Sequence, residues 1–446
     1  MYLKFVVGIL FCTFSIFGLT ITDVFAEPVI LDEEYEIQQI VSGLIQPTSF
    51  TFVDDYLLVT LKSGAILQVS KNGIVEDTPI LDIPTLIPNC ADETGQDCAP
   101  YGESGLLGIT TIDHYVFVFH TEPQSESCNT AKEEYWPSEN CDIKNLVVKY
   151  TISEDELINP ETIKELPVCS INHHGGAITA NSNGDIYFIT GDNNTTCVYD
   201  TAGSIFKYNA AGSISKDYTE TFFDNIICKI LSVFPQLDYI LDVNCTNVEV
   251  IGKKIRNSFG LAVDPQTGFL WQTENGTDMF DEINLVQPKF SSGWEPTDPG
   301  HGTWVKKDFF NFRYSDPEFL WERSIGITGI EFPPSQTFEK YSNYVFVGDY
   351  NNGNVYKFKL NSDRNGFVFN DSSLQDNVMN MDSFTVLPTD EIPSESKEIF
   401  FVQGIPGGVV DITFHQDEMY VLSFGKSYPP FNTSGSIYKI SKIIED

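Results

Sequence analysis

Two neighbouring histidines lie in a glycine-rich stretch, Asn172–Gly176, upstream of an aspartate, Asp192. A carboxylate next to an imidazole orients the ring and stabilises its protonated form, so such a pair can act as a general base. His173 and Asp192 are therefore candidate catalytic residues. The alternative for a single histidine is a buried, hydrogen-bonded structural role.

Two further polar clusters could bind a small molecule. Glu103 lies in a glycine-rich turn, Gly102–Gly108, and Arg256 stands next to Asn257. A carboxylate, a guanidinium and an amide can together position a polyhydroxylated or anionic ligand. The alternatives are a solvated turn residue for Glu103 and, for Arg256, an ion pair between neighbouring structural units.

A third cluster is rich in oxygen donors. The stretch Glu274-Asn275-Gly276-Thr277 is followed closely by Asp281 and Glu282. Ca²⁺ takes carboxylate and backbone oxygens as ligands, so this stretch is a candidate metal site. The alternative is an acidic hairpin without a metal.

These residues fall at the ends of a repeated unit. Each unit opens with an alternating strand, passes a polar turn and continues into a second strand of aromatic and β-branched residues, which is typical of antiparallel β-structure. Six units are found, and many close with Gly-x-apolar-Tyr/Phe-Lys. They are Thr48–Val69, Gly105–Tyr150, Gly176–Tyr208, Gly260–Val286, Thr328–Phe358 and Val409–Ile440.

Six similar β-units predict an all-β fold, a six-bladed β-propeller in one domain over residues 27–446, with cysteine-bearing loop inserts. Residues 219–241 could form one short helix within an insert. A pair of β-sandwiches is the alternative, but it does not predict six similar units. A propeller gathers the loops that enter its blades at one end of the central channel, where we expect the candidate residues to meet.

Charge excludes one class of function. The chain has 26 Lys plus Arg and 63 Asp plus Glu, which gives a net charge of −37. Nucleic-acid affinity depends on basic residues that neutralise phosphates, so a nucleic-acid partner is excluded.

Residues 1–26 resemble a secretory signal peptide. Lys4 precedes an apolar run from Phe5 to Leu19, and Val24-Phe25-Ala26 offers a cleavage site before Glu27. The alternative is an uncleaved membrane anchor. We expect a secreted or extracytoplasmic protein with no membrane contact beyond this segment.

The cysteine count agrees with export. Eight of the nine cysteines follow the signal segment, and an even number in an exported chain favours disulfides. No CxxC or Cys/His spacing indicates zinc, which is the alternative. Near neighbours predict four pairs: Cys90–Cys98, Cys128–Cys141, Cys169–Cys197 and Cys228–Cys245.

Taken together, the motifs resemble the glucose/sorbosone dehydrogenase family. The resemblance rests on RNSFGLAVDPQTG from Arg256, followed by Glu274-Asn-Gly and Asp281-Glu-Ile-Asn-Leu. Further matches occur in the same order at SGLIQPTSFTF from Ser42, GESGLLG from Gly102, and His173-x-Gly-Gly with Gly191-Asp192. It covers about residues 36–442 and implies a six-bladed propeller.

The resemblance also implies an activity: oxidation of an aldose at its anomeric carbon by hydride transfer to pyrroloquinoline quinone (PQQ), with Ca²⁺, followed by electron transfer to an external acceptor. It implies these roles: catalytic base His173, its orienting carboxylate Asp192, quinone and sugar contacts from Arg256 and Asn257, substrate contacts from Glu103 and Asn172, cofactor contact from Asn275, and Ca²⁺ ligands Gly276, Thr277, Asp281 and Glu282.

One part of the family pattern is missing. The basic residues that hold the PQQ carboxylates in the characterised soluble glucose dehydrogenase align with Asn351, Gly408 and Val410. Two other functions are therefore open: a non-catalytic extracellular binding propeller without the cofactor, and a metal-dependent, lactonase-like hydrolase. The substrate sugar, the electron acceptor and the oligomeric state are left undetermined.

Overall fold

The computed structural model describes residues 27–85, 102–123, 143–153, 156–168, 170, 172–193, 201–209, 247–298, 301–334, 338–379, 396–425 and 434–443. The signal segment, residues 219–241 and all eight cysteines of the predicted pairs lie outside these ranges. Within the described part, no helix is long and apolar enough to cross a membrane.

The described chain is almost entirely β-structure, which confirms the predicted all-β class. Six sheets have four to six strands each, and a two-stranded hairpin stands beside them. We number the larger sheets 1 to 6 in chain order of their innermost strands.

Sheets 1 to 3 come from the first half of the chain. Sheet 1 contains Pro47–Val53, Tyr56–Leu61, Ala65–Ser70 and Leu81–Asp82. Sheet 2 contains Leu106–Ile112, Tyr115–Pro123, Ile143–Ser153 and Glu156–Val168. Sheet 3 contains Ile178–Ala180, Asp185–Thr190, Ser204–Asn209, Val248–Lys253, Phe290–Ser291 and Arg313–Tyr314.

Sheets 4 to 6 complete the set. Sheet 4 contains Gly260–Val263, Leu270–Glu274, Asp281–Val286, Phe319–Trp321 and Val378–Met379. Sheet 5 contains Ile327–Glu331, Tyr344–Asp349, Val355–Lys359, Phe400–Gln403 and Val29–Ile30. Sheet 6 contains Val409–His415, Glu418–Ser423, Gly435–Lys442 and Tyr35–Leu44.

The remaining elements are short. The hairpin pairs Trp294–Asp298 with His301–Trp304. Three 3₁₀ turns cover Glu339–Tyr341, Ser372–Leu374 and Ser396–Ile399.

The sheets form a propeller arrangement around a channel. The first strand of each sheet contacts the first strand of the next, and the first strand of sheet 6 returns to that of sheet 1. Glycines permit this close approach: a Cβ on Gly108 would lie 2.2 Å from the Gly176 carbonyl oxygen, and one on Gly260 would lie 2.2 Å from that of Thr328. Apolar side chains fill the space between neighbouring sheets, since the buried residues form six core clusters.

The chain closes the ring with its own two ends. Tyr35–Leu44 pairs antiparallel with Gly435–Lys442, from Tyr35 opposite Lys442 to Leu44 opposite Gly435. Strands from the two ends of the described chain thus share sheet 6, so closure depends on hydrogen bonds between residues far apart in sequence.

The channel has a defined polarity. Thr48 Oγ1 donates to the Leu106 carbonyl (2.7 Å), and Thr328 Oγ1 donates to the Val409 carbonyl (2.8 Å). These bonds join the beginnings of neighbouring innermost strands, so these strands begin at the same level. The loops that precede them therefore share one end of the channel, which we call the mouth. Inside lies a small polar cavity of about 90 Å³.

Candidate functional site

Three of the predicted residues meet at the mouth. Glu103 precedes the first strand of sheet 2, His173 that of sheet 3 and Asn257 that of sheet 4. Glu103 Oε2 accepts from the His173 backbone N–H (2.7 Å) and from Asn257 Nδ2 (2.9 Å). Asn257 Oδ1 in turn accepts from the Gly175 N–H (3.1 Å). One carboxylate thus links three sheets, and a role as a merely solvated turn residue is wrong for Glu103.

His173 and Asp192 form the predicted pair. Their Nδ1 and Oδ1 atoms are 2.6 Å apart, and the residues are 8% and 6% exposed. An ionised carboxylate can only accept hydrogen bonds, so the imidazole carries its proton on Nδ1. In this tautomer Nε2 keeps a lone pair, and a general base needs such a lone pair to accept a proton.

The backbone holds His173 in an uncommon conformation. Its φ is +58°, in the left-handed region, where a non-glycine residue costs about 1–3 kcal/mol. Gly191 makes this possible, because a Cβ there would lie 2.3 Å from the His173 carbonyl oxygen. The same carbonyl accepts from the Asn193 N–H (3.3 Å). The glycine before Asp192 is therefore part of what positions the pair.

Arg256 lies on the same side of the mouth. Its backbone N–H donates to Glu274 Oε1 (2.8 Å) and its Nη1 to the Asn275 carbonyl (3.0 Å). Its Nε is buried and has no hydrogen-bond partner among the described residues. Burial lowers the pKa of Arg256 from its usual value, and the charges of Asp192 and Glu103 oppose that shift. A guanidinium remains charged under such conditions.

Two buried glutamates lie beneath Arg256. Glu274 and Glu282 stand opposite each other on neighbouring strands of sheet 4 and are 0% and 4% exposed. Burial raises the pKa of Glu274 to about 7 and, together with the charge of Glu274, raises that of Glu282 well above its usual value. These two side chains therefore carry less than two full negative charges at neutral pH.

Asp281 is engaged by backbone donors. Its Oδ1 accepts from the Gly276 N–H (2.9 Å), and its Oδ2 accepts from the N–H groups of Ile325, Gly326 and Ile327. This carboxylate holds the loops of sheets 4 and 5 together. Within the described residues, no three His, Cys, Asp or Glu side chains are grouped to hold a metal ion. The Ca²⁺ roles of Gly276, Thr277, Asp281 and Glu282 stay predictions.

Asn275, Asn172 and His174 lie beside this centre. Asn275 Nδ2 donates to the Ile327 carbonyl (2.7 Å), and the Asn172 N–H donates to Ser170 Oγ (3.1 Å). His174 is fully buried, with Nδ1 2.9 Å from Asn145 Oδ1. The structural alternative for a histidine in this stretch thus describes His174, while His173 faces Asp192.

Sequence reasoning missed two residues of the site. Trp294, in the hairpin, donates from its indole N–H to Asp192 Oδ2 (2.6 Å). Lys62, at the end of a sheet 1 strand, donates from Nζ to the Gly102 carbonyl next to Glu103. Burial lowers the pKa of Lys62 to about 8, and the charge of Glu103 opposes this. No motif marks either residue, since both contacts join distant parts of the chain.

The mouth offers hydrogen-bond donors for PQQ, the cofactor that the resemblance implies. The unpartnered, buried Nε of Arg256 fits an anionic or quinone oxygen, and Asn257 and Asn275 lie beside it. Lys357, a basic residue within sheet 5, is engaged elsewhere, because its Nζ donates to the Phe400 carbonyl (2.6 Å). The donor set therefore fits the quinone end of PQQ, with Arg256 as its cation.

The chain is similar in sequence to one protein family and to one curated relative. The family model described as Glucose / Sorbosone dehydrogenase matches residues 242–380. The aldose sugar dehydrogenase YliI of Escherichia coli (strain K12) is 24% identical over an alignment of 249 residues, and the match covers 52% of this chain. The chain spans 61% of that relative's length.

Solved structures resemble the whole described fold. A glucose dehydrogenase crystal structure has a TM-score of 0.63 at 18% identity and covers 91% of this chain and 99% of its own. The apo soluble aldose sugar dehydrogenase from Escherichia coli has a TM-score of 0.61 at 18% identity, covering 92% and 100%. The PQQ-bound aldose sugar dehydrogenase from Streptomyces coelicolor scores 0.55 at 16% identity, covering 92% and 99%.

The structural likenesses agree with the propeller fold, and the family match spans Arg256, Glu274 and Asp281, which the structure places at the mouth. Together with the curated relative, these findings support the glucose/sorbosone dehydrogenase family as the one this chain resembles.

Proposed function

We propose that this protein is a sugar dehydrogenase that oxidises an aldose at its anomeric carbon. The observation that carries the proposal is the 2.6 Å pair of His173 and Asp192 at the channel mouth, on the same side as Arg256. The family and the named relatives support an oxidoreductase that acts on sugars.

In this proposal His173 is the general base. Its Nε2 takes the proton of the anomeric hydroxyl while the C1 hydrogen leaves with its electron pair, and the sugar becomes a lactone. Asp192 stabilises the imidazolium that forms. Such a base contributes about 10²–10⁴-fold to the rate.

PQQ, when bound, supplies the two-electron acceptor for the hydride, and the electrons then pass to an external acceptor. Arg256, Asn257 and Asn275 would hold it. The buried guanidinium of Arg256 would stabilise negative charge that develops on a bound quinone. Glu103 and Asn172 would contact the sugar.

Three further parts of the proposal concern the whole molecule. The six larger sheets and their closed ring of innermost strands support a six-bladed propeller. The first 26 residues and the eight later cysteines support export and four disulfides. Gly276, Thr277, Asp281 and Glu282 would supply the Ca²⁺ ligands.

The test is a titration of the purified apoprotein with PQQ and Ca²⁺, with glucose or another aldose and a reducible dye present. We expect a perturbed quinone absorption that saturates at one PQQ per chain, together with sugar-dependent dye reduction. An unchanged quinone spectrum at micromolar protein would contradict the proposal and favour the non-catalytic binding propeller. Lactone hydrolysis that needs a divalent ion but no PQQ would favour the hydrolase.

A further inference from the structure

Asp192 has a second partner besides His173. The indole N–H of Trp294 donates to Asp192 Oδ2 at 2.6 Å, while Oδ1 faces His173 Nδ1 at the same distance. The two carboxylate oxygens are thus held by donors from two directions. A carboxylate with only one such donor can rotate about its terminal bond, and one held on both oxygens cannot without losing a bond.

Trp294 is itself firmly placed. It is 1% exposed, its backbone N–H donates to the Lys254 carbonyl (3.0 Å), and its ring packs edge-on against Trp304 at 4.7 Å between centroids. A Cβ on Gly302 would lie 2.4 Å from the indole ring. The hairpin that carries Trp294 therefore leaves the indole little freedom to turn.

The same indole also contacts Arg256. The guanidinium carbon lies 5.4 Å from the Trp294 ring centroid, which is within cation–π range. Trp294 thus contacts both Asp192, which orients the proposed base, and Arg256, the cationic residue predicted to contact the cofactor. Since Trp294 is almost fully buried, it does not offer a surface to a substrate.

We propose that Trp294 is a positioning residue, which fixes the Asp192 carboxylate so that neutral His173 keeps its proton on Nδ1 and its lone pair on Nε2. The inference deepens the proposed function and rests on it for its kinetic part. The tautomer of His173 is a property of the protein without cofactor or sugar, so that part stands by itself.

The test uses full-length Trp294→Phe, which keeps an aromatic ring and removes the N–H. In ¹⁵N-histidine-labelled apoprotein we expect His173 to be the Nδ1–H tautomer, and its signal can be identified by its absence from His173→Gln. In Trp294→Phe we expect the Nε2–H tautomer to become populated. Trp271→Phe is the matched control, because Trp271 is also fully buried and its indole N–H has no partner among the described residues.

Turnover supplies the second readout. With PQQ, Ca²⁺ and aldose, Trp294→Phe should lower kcat by roughly ten- to hundredfold, the effect of one hydrogen bond to a charged group, with little change in KM. In an Asp192→Asn background the same substitution should cause little further loss, since the two residues act through one bond. A tautomer shift without any wild-type activity would support the positioning role and contradict the proposed function.

An unchanged His173 tautomer in a folded Trp294→Phe protein, with an unchanged pH profile of kcat, would overturn the proposal. Equal tautomer shifts in Trp294→Phe and Trp271→Phe would also overturn it, because the effect would then be one of core packing. Should Trp294→Phe fail to fold, Trp294→His keeps a ring N–H donor and should retain more of the wild-type tautomer than Trp294→Leu.

Discussion

The two halves of the channel mouth are built differently. Over sheets 2 to 4, side chains converge, with Glu103 bonded to both His173 and Asn257. Over sheets 5 and 6, backbone bonds close the turns: the Tyr350 N–H donates to the Gly326 carbonyl (2.8 Å) and the Phe424 N–H to the Gly408 carbonyl (3.0 Å). In the first half polar side chains bond to one another, whereas in the second half backbone groups pair with each other or with Asp281 and Asn275 of the neighbouring half.

The halves also differ in charge. By the resemblance, Asn351, Gly408 and Val410 align with the basic residues of the characterised soluble glucose dehydrogenase, and Glu331 and Asp411 line the channel. Burial raises the pKa of Glu331 to about 8 and that of Asp411 to about 6. The candidate groups for proton transfer thus converge on one side of the mouth, and the positions that align with anion-binding residues by the resemblance lie on the other and are not basic.

The largest expected effect comes from the side-chain-rich half. His173→Ala should lower sugar-dependent dye reduction about 10²–10⁴-fold, because it removes the proposed general base. The melting temperature should change little, since the substitution removes only the side-chain hydrogen bond with Asp192 at the mouth. Initial rates at saturating aldose and PQQ measure the effect.

His174 provides the control for this substitution. His174 is fully buried and bonded to Asn145, so His174→Ala should cost about 1–3 kcal/mol of stability while specific activity is retained. The reverse pattern, in which His174→Ala loses activity and His173→Ala does not, would show that the base is assigned one residue too early.

Substitution of Arg256 tests whether its guanidinium, in the half of the mouth over sheets 2 to 4, binds PQQ. Arg256→Gln should weaken PQQ binding roughly ten- to hundredfold, which corresponds to losing a charged hydrogen bond of about 1.5–3 kcal/mol. Spectroscopic titration of the apoprotein gives the Kd. Arg313→Gln is the matched control, because Arg313 is exposed in sheet 3. Equal Kd values for Arg256→Gln and wild type would exclude Arg256 as the cofactor's cation.

Basic residues can be introduced into the half of the mouth over sheets 5 and 6, at the positions where the resemblance places them. Asn351→Lys should tighten PQQ binding by roughly two- to fivefold, the effect of a partly exposed charge pair worth under about 1 kcal/mol. Gly408→Arg should instead destabilise the fold, because φ is +81° and a Cβ would lie 2.1 Å from the Tyr350 carbonyl oxygen. Weaker PQQ binding by Asn351→Lys would contradict the charge comparison.

The channel acids predict a pH dependence of stability. Because burial raises the pKa of Glu331 to about 8 in the folded protein, the folded state binds its proton more tightly than the unfolded state. Stability from this group is therefore full below its unfolded pKa and is lost as pH rises toward 8. Glu331→Gln should raise the melting temperature by about 2 °C at pH 8 and leave it unchanged at pH 4. Exposed Glu36→Gln is the control, and equal shifts at both pH values would contradict the account.

The smallest expected signal concerns the cysteines. All eight cysteines after the signal segment lie between residues 90 and 245, in the part of the chain that precedes or connects the strands of sheets 2 and 3. We expect no reactive thiol in the denatured, unreduced mature protein. Labelling with a thiol reagent measures this, and two or more thiols per chain would refute the pairing scheme.

Much of this arrangement was accessible from the sequence. The six repeated units each begin in the first strand of one sheet, because period-two alternation and glycine turns are local signals. The mouth residues Glu103, His173, Asp192, Arg256 and Asn257 were found because the family motifs stand next to those strands. Their hydrogen bonds then follow from the ring order of the sheets.

What the sequence did not reveal depends on contacts between distant residues. Trp294 reaches Asp192 from a hairpin that follows the motifs of sheet 4 in the chain, and one tryptophan carries no spacing signal. Asp281 looks like a metal ligand in a row of oxygen donors, yet in the fold it accepts backbone N–H groups of sheet 5. Carboxylates serve cations and amide donors equally well, so residue type alone does not distinguish them.

The most direct test of the proposed sugar-oxidising centre is single-turnover reduction of bound PQQ by an aldose, followed by stopped-flow absorbance. We predict that the wild-type protein reduces one equivalent of quinone, that deuterium at C1 of the sugar slows this step, and that His173→Ala slows it about 10²–10⁴-fold. Quinone reduction that is insensitive to deuterium at C1 and unaffected by His173→Ala would contradict the account.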